Sequence, residues 1–192
     1  VTGEAEAVAR KAAARSAARQ RRRVAHATVD PTPAVDALLA ALAPWRGHLL
    51  AGYMPIQSEI DPTPVMAAWA THSPVCLPVV VAPDQPLAFR RWQPGAAMTP
   101  GPFGVAVPVE DRPAVPEIVV VPLLAFNRDG ARLGYGGGFY DRTLQRLRAG
   151  GPVLAIGFAF AAQLDPDLPH DLNDQRLDAV ATEAGVTWFR PR

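Results

Sequence analysis

The stretch that decides the fold is Glu117-Ile118-Val119-Val120-Val121-Pro122-Leu123-Leu124-Ala125-Phe126, with Arg132-Leu133-Gly134-Tyr135-Gly136-Gly137-Gly138-Phe139-Tyr140-Asp141-Arg142 close behind it. The first segment is a near-continuous apolar run, the pattern of a strand covered on both faces rather than one. The second packs four of the chain's fifteen glycines into five residues. Residues Tyr140–Ala149 then read as a helix. Strand, glycine loop and helix in that order make the repeating unit of an α/β sheet with helices on both faces.

The same alternation extends outward. Val153–Phe160, Leu49–Tyr53 and Val75–Val81 read as further buried strands. Helices are predicted over residues 4–27, Ala34–Ala43 and Thr63–His72, the last with Thr63 as cap and Pro64 in its first turn. Asp30-Pro31-Thr32-Pro33 separates the first two. The proline-rich stretch Pro83–Pro116 reads as hairpin and loop laid over one face, since prolines interrupt a central strand. A polar, Asp-rich loop follows over Gln163–Asp178, and Val186–Phe189 reads as a final short strand. No internal repeat and no linker divides the chain, so a single domain over residues 1–192 is expected, with a basic helix at residues 1–28.

Composition narrows the function. The chain has 192 residues, 49% hydrophobic and 19% charged, a globular balance. Its longest apolar runs are too short to span a bilayer. The basic N-terminus lacks the apolar stretch of a signal peptide, which sets the expectation of a cytoplasmic protein. Cys76 is the only cysteine, so neither an intramolecular disulfide nor a cysteine zinc cluster can form. It reads as a small buried hydrophobe on the Val75–Val81 strand. The three serines, Ser16, Ser58 and Ser73, sit in no Gly-x-Ser-x-Gly elbow, and the four histidines show no metal-ligand spacing. A serine hydrolase and a zinc enzyme are thereby set aside. The net charge of +1 conceals +4 in residues 1–30 and −3 in the remainder.

Phosphate chemistry is the strongest local signal. Glycines permit positive φ and bare the backbone, so successive N–H groups can converge on an anion, and a following helix adds its own free N–H groups. The loop is not a Walker motif, because Lys11 is the only lysine in the chain. It is not a dinucleotide fingerprint either, because Phe139 stands where the third glycine belongs. Asp141 at the helix start reads either as a Mg²⁺ ligand or as an acid complementing the helix dipole. Lys11, Arg15 and Arg22 share one face of the first helix. That stripe suits a polyphosphate, a solvated surface or a nucleic-acid arm. It lacks the interleaved aromatics of the arm, and an alanine-rich opposite face argues against a membrane-surface helix. Asp165, Asp167, Asp171, Asp174 and Asp178 crowd the Asp-rich loop, where one of them could be a second metal carboxylate and most serve as solvated or capping groups. Glu59 follows the Leu49–Tyr53 strand, where open α/β sheets place ligand groups.

The segment Arg132–Arg142 resembles the glycine-loop signature of the 5-formyltetrahydrofolate cyclo-ligases, also called 5,10-methenyltetrahydrofolate synthetases. Lys11-x-x-x-Arg15 with Arg22, Tyr53-Met54-Pro55 with Glu59, Leu77-Pro78, and Gly101-x-Phe103-Gly104-Val105 with Pro108 follow in the order of that family. So do Gln163, Pro169, Asp174, Leu177-Asp178 and Thr182-Glu183. The resemblance implies a single-domain, Rossmann-like α/β/α sandwich of three layers, with the first helix packing over an ATP site. It implies ATP-dependent cyclisation of 5-formyltetrahydrofolate to 5,10-methenyltetrahydrofolate through an iminium phosphate, with release of ADP and phosphate. Lys11, Arg15, Arg132, Leu133, Gly134, Tyr135, Gly136, Gly137, Gly138, Phe139 and Tyr140 would then hold ATP. Asp141 and Asp174 would hold Mg²⁺, and Met54, Glu59, Trp92, Tyr135 and Tyr140 would contact the reduced folate. A monomer is expected, with neither membrane nor nucleic acid as partner.

The pattern departs from the family at Phe139 for a usual tyrosine, Asn127 for aspartate, Val107 for glutamate, Asn173 for histidine and Asp171 for glutamate. None removes an expected phosphate or metal ligand. Two other readings stand beside the enzyme: an ATP-binding relative without cyclo-ligase activity, and a nucleic-acid or partner-binding module that uses the Arg-rich helix.

Overall fold

A computed structural model of the chain describes residues 2–169 and 174–189. The Ala- and Arg-rich opening forms one long helix, α1 (Thr2–Thr28), and the proline break delivers the chain into α2 (Thr32–Leu42). Seven strands build the main sheet, in the order β11-β10-β9-β6-β1-β2-β3. These are β1 (Leu50–Ala51), β2 (Val75–Val79), β3 (Ala88–Trp92), β6 (Ile118–Val121), β9 (Leu154–Phe158), β10 (Ala179–Thr182) and β11 (Gly185–Trp188). The five inner strands run parallel, and β3 and β11 close the edges antiparallel. Two small hairpins stand apart: β4 (Met98–Pro100) with β5 (Ala106–Pro108), and β7 (Ala125–Phe126) with β8 (Arg132–Leu133).

The apolar runs are continuous because both faces are covered. Leu50, Val75, Leu77, Ile118, Val120, Leu154 and Ile156 pack under α2 and α3 (Thr63–Ala70). Their alternates Ala51, Cys76, Val119, Val121 and Ala155 pack under α4 (Phe139–Gly150). The fold is therefore the expected three-layer sandwich. Cys76 is fully buried, and burial pushes its thiol pKa up to about 12, which makes it inert.

Several local readings change. Ala88–Trp92, inside the Pro83–Pro116 stretch expected as hairpin and loop over one face, forms the antiparallel edge strand β3 of the main sheet. Thr63 does not cap α3: Pro62 occupies the cap position without a side-chain bond, and Asp61 Oδ1 accepts the Thr63 N–H at 2.8 Å. The Glu117–Phe126 run is not one strand. It divides at Pro122, which has no N–H to give a ladder, and its end turns away into the β7–β8 hairpin. The inner strand β10 was not legible, because Ala179-Val180-Ala181-Thr182 is too short and alanine-rich to stand out. Asp171 and Asn173 lie outside the described residues.

This topology fixes where a site can form. From β1 the chain crosses by α3 to β2 on one side, whereas from β6 it crosses by α4 to β9 on the other. The two winding directions diverge between β1 and β6, and a crevice opens at the carboxyl ends of the strands there.

Candidate active site

A cleft of about 320 Å³ occupies that crevice. Its floor is the chain leaving β1 (Tyr53, Met54, Glu59) and β6 (Pro122), and its walls are the glycine loop, α1 and the β4–β5 hairpin. Lys11, Arg15, Met54, Glu59, Arg132 through Asp141, and Asp174 all line it. Residues separated by more than a hundred positions thus share one surface.

The glycine loop is shaped by its backbone. Gly138 caps α4 with φ of 64°, and Gly136 has φ of 104°; both values lie in the left-handed region that disfavours side chains. A Cβ on Gly136 would also lie 3.3 Å from the Arg15 guanidinium, whose Nε donates to Gly134 O at 3.2 Å. The loop therefore rests directly against α1. Helix geometry leaves the first-turn N–H groups of α4 without intrahelical acceptors, and they open beside these cations.

On the adjoining wall, Arg132 donates from Nη2 to Asp141 Oδ1 at 2.8 Å and from Nη1 to the carbonyl of Gln175. The Gln175 N–H donates to the same Asp141 oxygen at 2.9 Å. Arg148, which binds Gln175 Oε1 and Asp178 Oδ2, pins this segment onto α4. Of the described carboxylates of the Asp-rich loop, the pinned segment brings Asp174 to the cleft. Asp174 pairs there with Lys11 at 3.6 Å, while Asp165 pairs with Arg21 and Asp178 with Arg148, both outside it. Among the described residues, Asp141, Asp174 and Glu59 bring carboxylates to the cleft, the first two on the wall with Arg132 and Lys11. Among the described residues, no cluster of three or more metal-ligating side chains gathers. The Asp141–Asp174 pair nevertheless suits Mg²⁺, which takes one or two carboxylates and completes its shell with phosphate and water.

At the other end, Glu59 is only 5% exposed. Its Oε2 accepts the Ile56 N–H at 2.9 Å, and its Oε1 accepts the Tyr135 hydroxyl at 3.0 Å. Burial pushes the Glu59 carboxyl above its ordinary range, against the opposing pull of the Ile56 N–H, the Arg22 charge and the Tyr135 hydroxyl. Burial, followed by the charge of Glu59, pushes the Tyr135 phenol up to about 12. The phenols of Tyr53 and Tyr140 rise for the same two reasons. A buried carboxylate ringed by three protonated phenols is suited to receive a proton or an N–H from a ligand.

Two sequence expectations meet a different arrangement. Trp92 does not line the cleft. It sits on the edge strand β3 opposite Val75, partly buried against the other face of the sheet, and borders a separate hollow with Ser73 and Arg91. The exposed aromatic at the cleft mouth is Phe103, 78% exposed with φ of 59°, its ring edge-on to Phe139 at 6.2 Å. Arg22 does not reach over a phosphate site. It is 1% exposed and turned inward toward Glu59 and Tyr135. Of the departures, Val107 is a buried apolar part of the cleft wall. Asn127 Oδ1 accepts the N–H groups of Asp129 and Ala131, bonds that an aspartate would make equally well.

Residues 3–183 match the 5-formyltetrahydrofolate cyclo-ligase family. The 5-formyltetrahydrofolate cyclo-ligase of Escherichia coli strain K12 is 32% identical over 146 residues, covering 72% of this chain and 80% of that protein. The enzyme of that name from Mycolicibacterium smegmatis is 31% identical over 157 residues, covering 75% and 78%. The solution structure of Aquifex aeolicus 5,10-methenyltetrahydrofolate synthetase superposes with a TM-score of 0.71 at 25% identity, over 93% of this chain and 94% of that one. The synthetase structure from Mycoplasma pneumoniae shares the fold with a TM-score of 0.69 at 24% identity, covering 90% and 98%.

Proposed function

Because the chain belongs to the 5-formyltetrahydrofolate cyclo-ligase family, we propose that it converts 5-formyltetrahydrofolate and MgATP into 5,10-methenyltetrahydrofolate, ADP and phosphate. The observation that carries the reading is one continuous cleft joining a cation-backed glycine loop to a buried carboxylate.

The chemistry asks for both ends. A formamide oxygen is a poor leaving group, so N10 cannot close the ring unaided. The γ-phosphoryl group passes from ATP to that oxygen, breaking its bond to ADP and leaving an iminium phosphate. The N10 lone pair then forms the new C–N bond, N10 gives up its proton, and the C–O bond breaks with phosphate departing. No protein nucleophile is needed, so catalysis rests on positioning and charge neutralisation.

Roles follow from placement. The loop Gly134–Gly138 with Arg132, Leu133, Phe139 and Tyr140 receives the nucleotide, and Lys11 and Arg15 close on it from α1. In this reading α1 serves as a cover on the nucleotide half of a single domain. Asp141 and Asp174 hold Mg²⁺, which when bound neutralises charge on the phosphate oxygens. Met54 and the apolar wall hold the folate, and Glu59, hydrogen-bonded by Tyr135, accepts the N10 proton. Tyr140 borders both halves. Phe103 takes the ring-stacking place at the mouth that Trp92 is too far away to fill. Lys11, Arg15 and Arg22 all face the body of the protein, which favours this reading over a nucleic-acid arm. No helix among the described residues is long and apolar enough to cross a membrane.

The direct test is the appearance of methenyl-folate absorbance from 5-formyltetrahydrofolate. Product is expected only when MgATP and the folate are both present. Absence of product while ATP still binds refutes the cyclo-ligase reading and leaves a divergent ATP-binding relative. A finer check is Gly136→Ala. The Cβ would strain a backbone at φ of 104° and crowd the Arg15 guanidinium, so affinity for MgATP should fall about tenfold while the folate KM holds. Equal losses for both substrates would show that the loop does not belong to the nucleotide half.

A further inference from the structure

Arg22 is a guanidinium enclosed by protein, and the proposed reaction does not use it. Its side chain is 1% exposed. Nη1 donates to the main-chain carbonyl of Leu123 at 3.3 Å, and Nε donates to Ser58 Oγ at 3.2 Å. Nη2 donates to the Tyr135 hydroxyl at 2.6 Å, and Nη1 stands 3.6 Å from Glu59 Oε1. The guanidinium also lies 5.4 Å from the centre of the Tyr135 ring. One planar fork from α1 thus meets the chain after β6, the loop after β1 and the first tyrosine of the glycine loop. A buried cation is costly unless it is paired and hydrogen-bonded, and here each guanidinium nitrogen has an acceptor and Glu59 lies within ion-pair distance.

We propose that Arg22 is the positioning residue of the folate half: anchored on Leu123 and Ser58, it fixes the Glu59 carboxylate and the Tyr135 hydroxyl in the single orientation that receives N10. This rests on the cyclo-ligase reading and goes beyond it by assigning a role to a residue that touches neither substrate. The logic is geometric. Tyr135 donates to Glu59 and accepts from Arg22, so its hydroxyl proton has only one direction in which to point. With that bond and the Ile56 N–H in place, Glu59 keeps its remaining acceptor capacity for the ligand. The charged and titratable groups facing Glu59 are Arg22 from α1, Tyr135 from the glycine loop, Tyr140 from α4 and Tyr53 from the chain after β1. Arg22 is the one cation among these four. Removing it takes away the charge that opposes burial at Glu59.

The mechanism separates this role from simple packing. Arg22→Gln keeps a polar side chain of similar reach but loses the charge and the fork. Arg22→Lys keeps the charge but cannot span Leu123, Ser58, Tyr135 and Glu59 together. In the full-length protein with saturating MgATP, Arg22→Gln should lower kcat about 10- to 100-fold and move the acid limb of kcat/KM for the folate to higher pH. Arg22→Lys should return the acid limb to its wild-type position while recovering only part of kcat. MgATP affinity, read by calorimetry, should be unchanged in both. In a Glu59→Gln background, Arg22→Gln should cost little more, because the two residues act as a unit.

An acid limb unmoved in Arg22→Gln, or losses that multiply across the double variant, would overturn the proposal. Should Arg22→Gln fail to fold by circular dichroism, Arg22→Lys carries the test, and a wild-type kcat there overturns it. Failure of the underlying reading looks different: the wild-type protein itself would form no methenyl product, and this inference would fall with it.

Discussion

Glu59→Gln is expected to lower kcat/KM for the folate by about 10²- to 10³-fold, the range lost when a positioned acid–base group is removed. The substitution is nearly isosteric. Its amide oxygen can still accept the Ile56 N–H or the Tyr135 hydroxyl, so the loop after β1 should keep its shape. What disappears is the anion that balances Arg22 and, in the proposed reaction, takes the N10 proton. The proposed reaction places MgATP at the other end of the cleft, so its affinity should be unchanged. The wild-type pH profile offers a second check on the same group. Burial raises the Glu59 pKa, and the proposed proton transfer needs the ionised form. Activity should therefore fall on acidification at a pH above the ordinary carboxylate range, and Glu59→Gln should abolish that limb. Retention of the limb in the variant would assign it to another residue.

The second large effect is expected at Asp141. In Asp141→Asn the side-chain oxygen can still accept from Arg132 and from the Gln175 N–H, so the wall should stay assembled. The negative charge is lost, and with it one of the two carboxylates that the proposed reaction assigns to Mg²⁺. Turnover should fall by about 10²-fold or more, as when charge neutralisation is removed from a phosphoryl transfer. The discriminating measurement is the Mg²⁺ dependence. If the loss acts through the metal, the Mg²⁺ concentration giving half-maximal rate rises and excess Mg²⁺ restores part of the activity. If it acts through the Arg132 pair, added Mg²⁺ does nothing. Near-wild-type turnover would remove Asp141 from the metal site altogether.

These predictions draw on residues of different legibility. The Glu117–Phe126 run, the glycine cluster and the helix after it announced an α/β sheet because burial on both faces and a positive-φ loop leave marks in local sequence. Lys11, Arg15, Arg132–Asp141 and Glu59 could be found as residue types suited to phosphate and proton chemistry, and they do line one cleft. The Asp-rich loop was different: five carboxylates looked alike until Arg148 and the Arg132–Gln175 contacts drew Asp174 inward. Trp92 went the other way. Its aromatic character fitted a stacking role, but pairing in register with Val75 leaves it bordering a separate hollow, not the cleft.

Arg22 shows the limit most clearly. On α1 it is one more arginine on a basic stripe, indistinguishable by spacing from Lys11 and Arg15. Its neighbours are Ser58, Leu123 and Tyr135, the last of them 113 residues away. By itself the sequence determined the layered α/β class, the glycine loop and the family, because propensity, burial pattern and motif are local properties. Only the tertiary structure decided which arginine lines the cleft beside the glycine loop and which turns inward to Glu59. It also decided which aspartate joins the cleft and which aromatic guards it. Those choices are made by packing α1 and the 174–178 segment against the sheet, and long-range contacts of that kind leave no periodic trace along the chain.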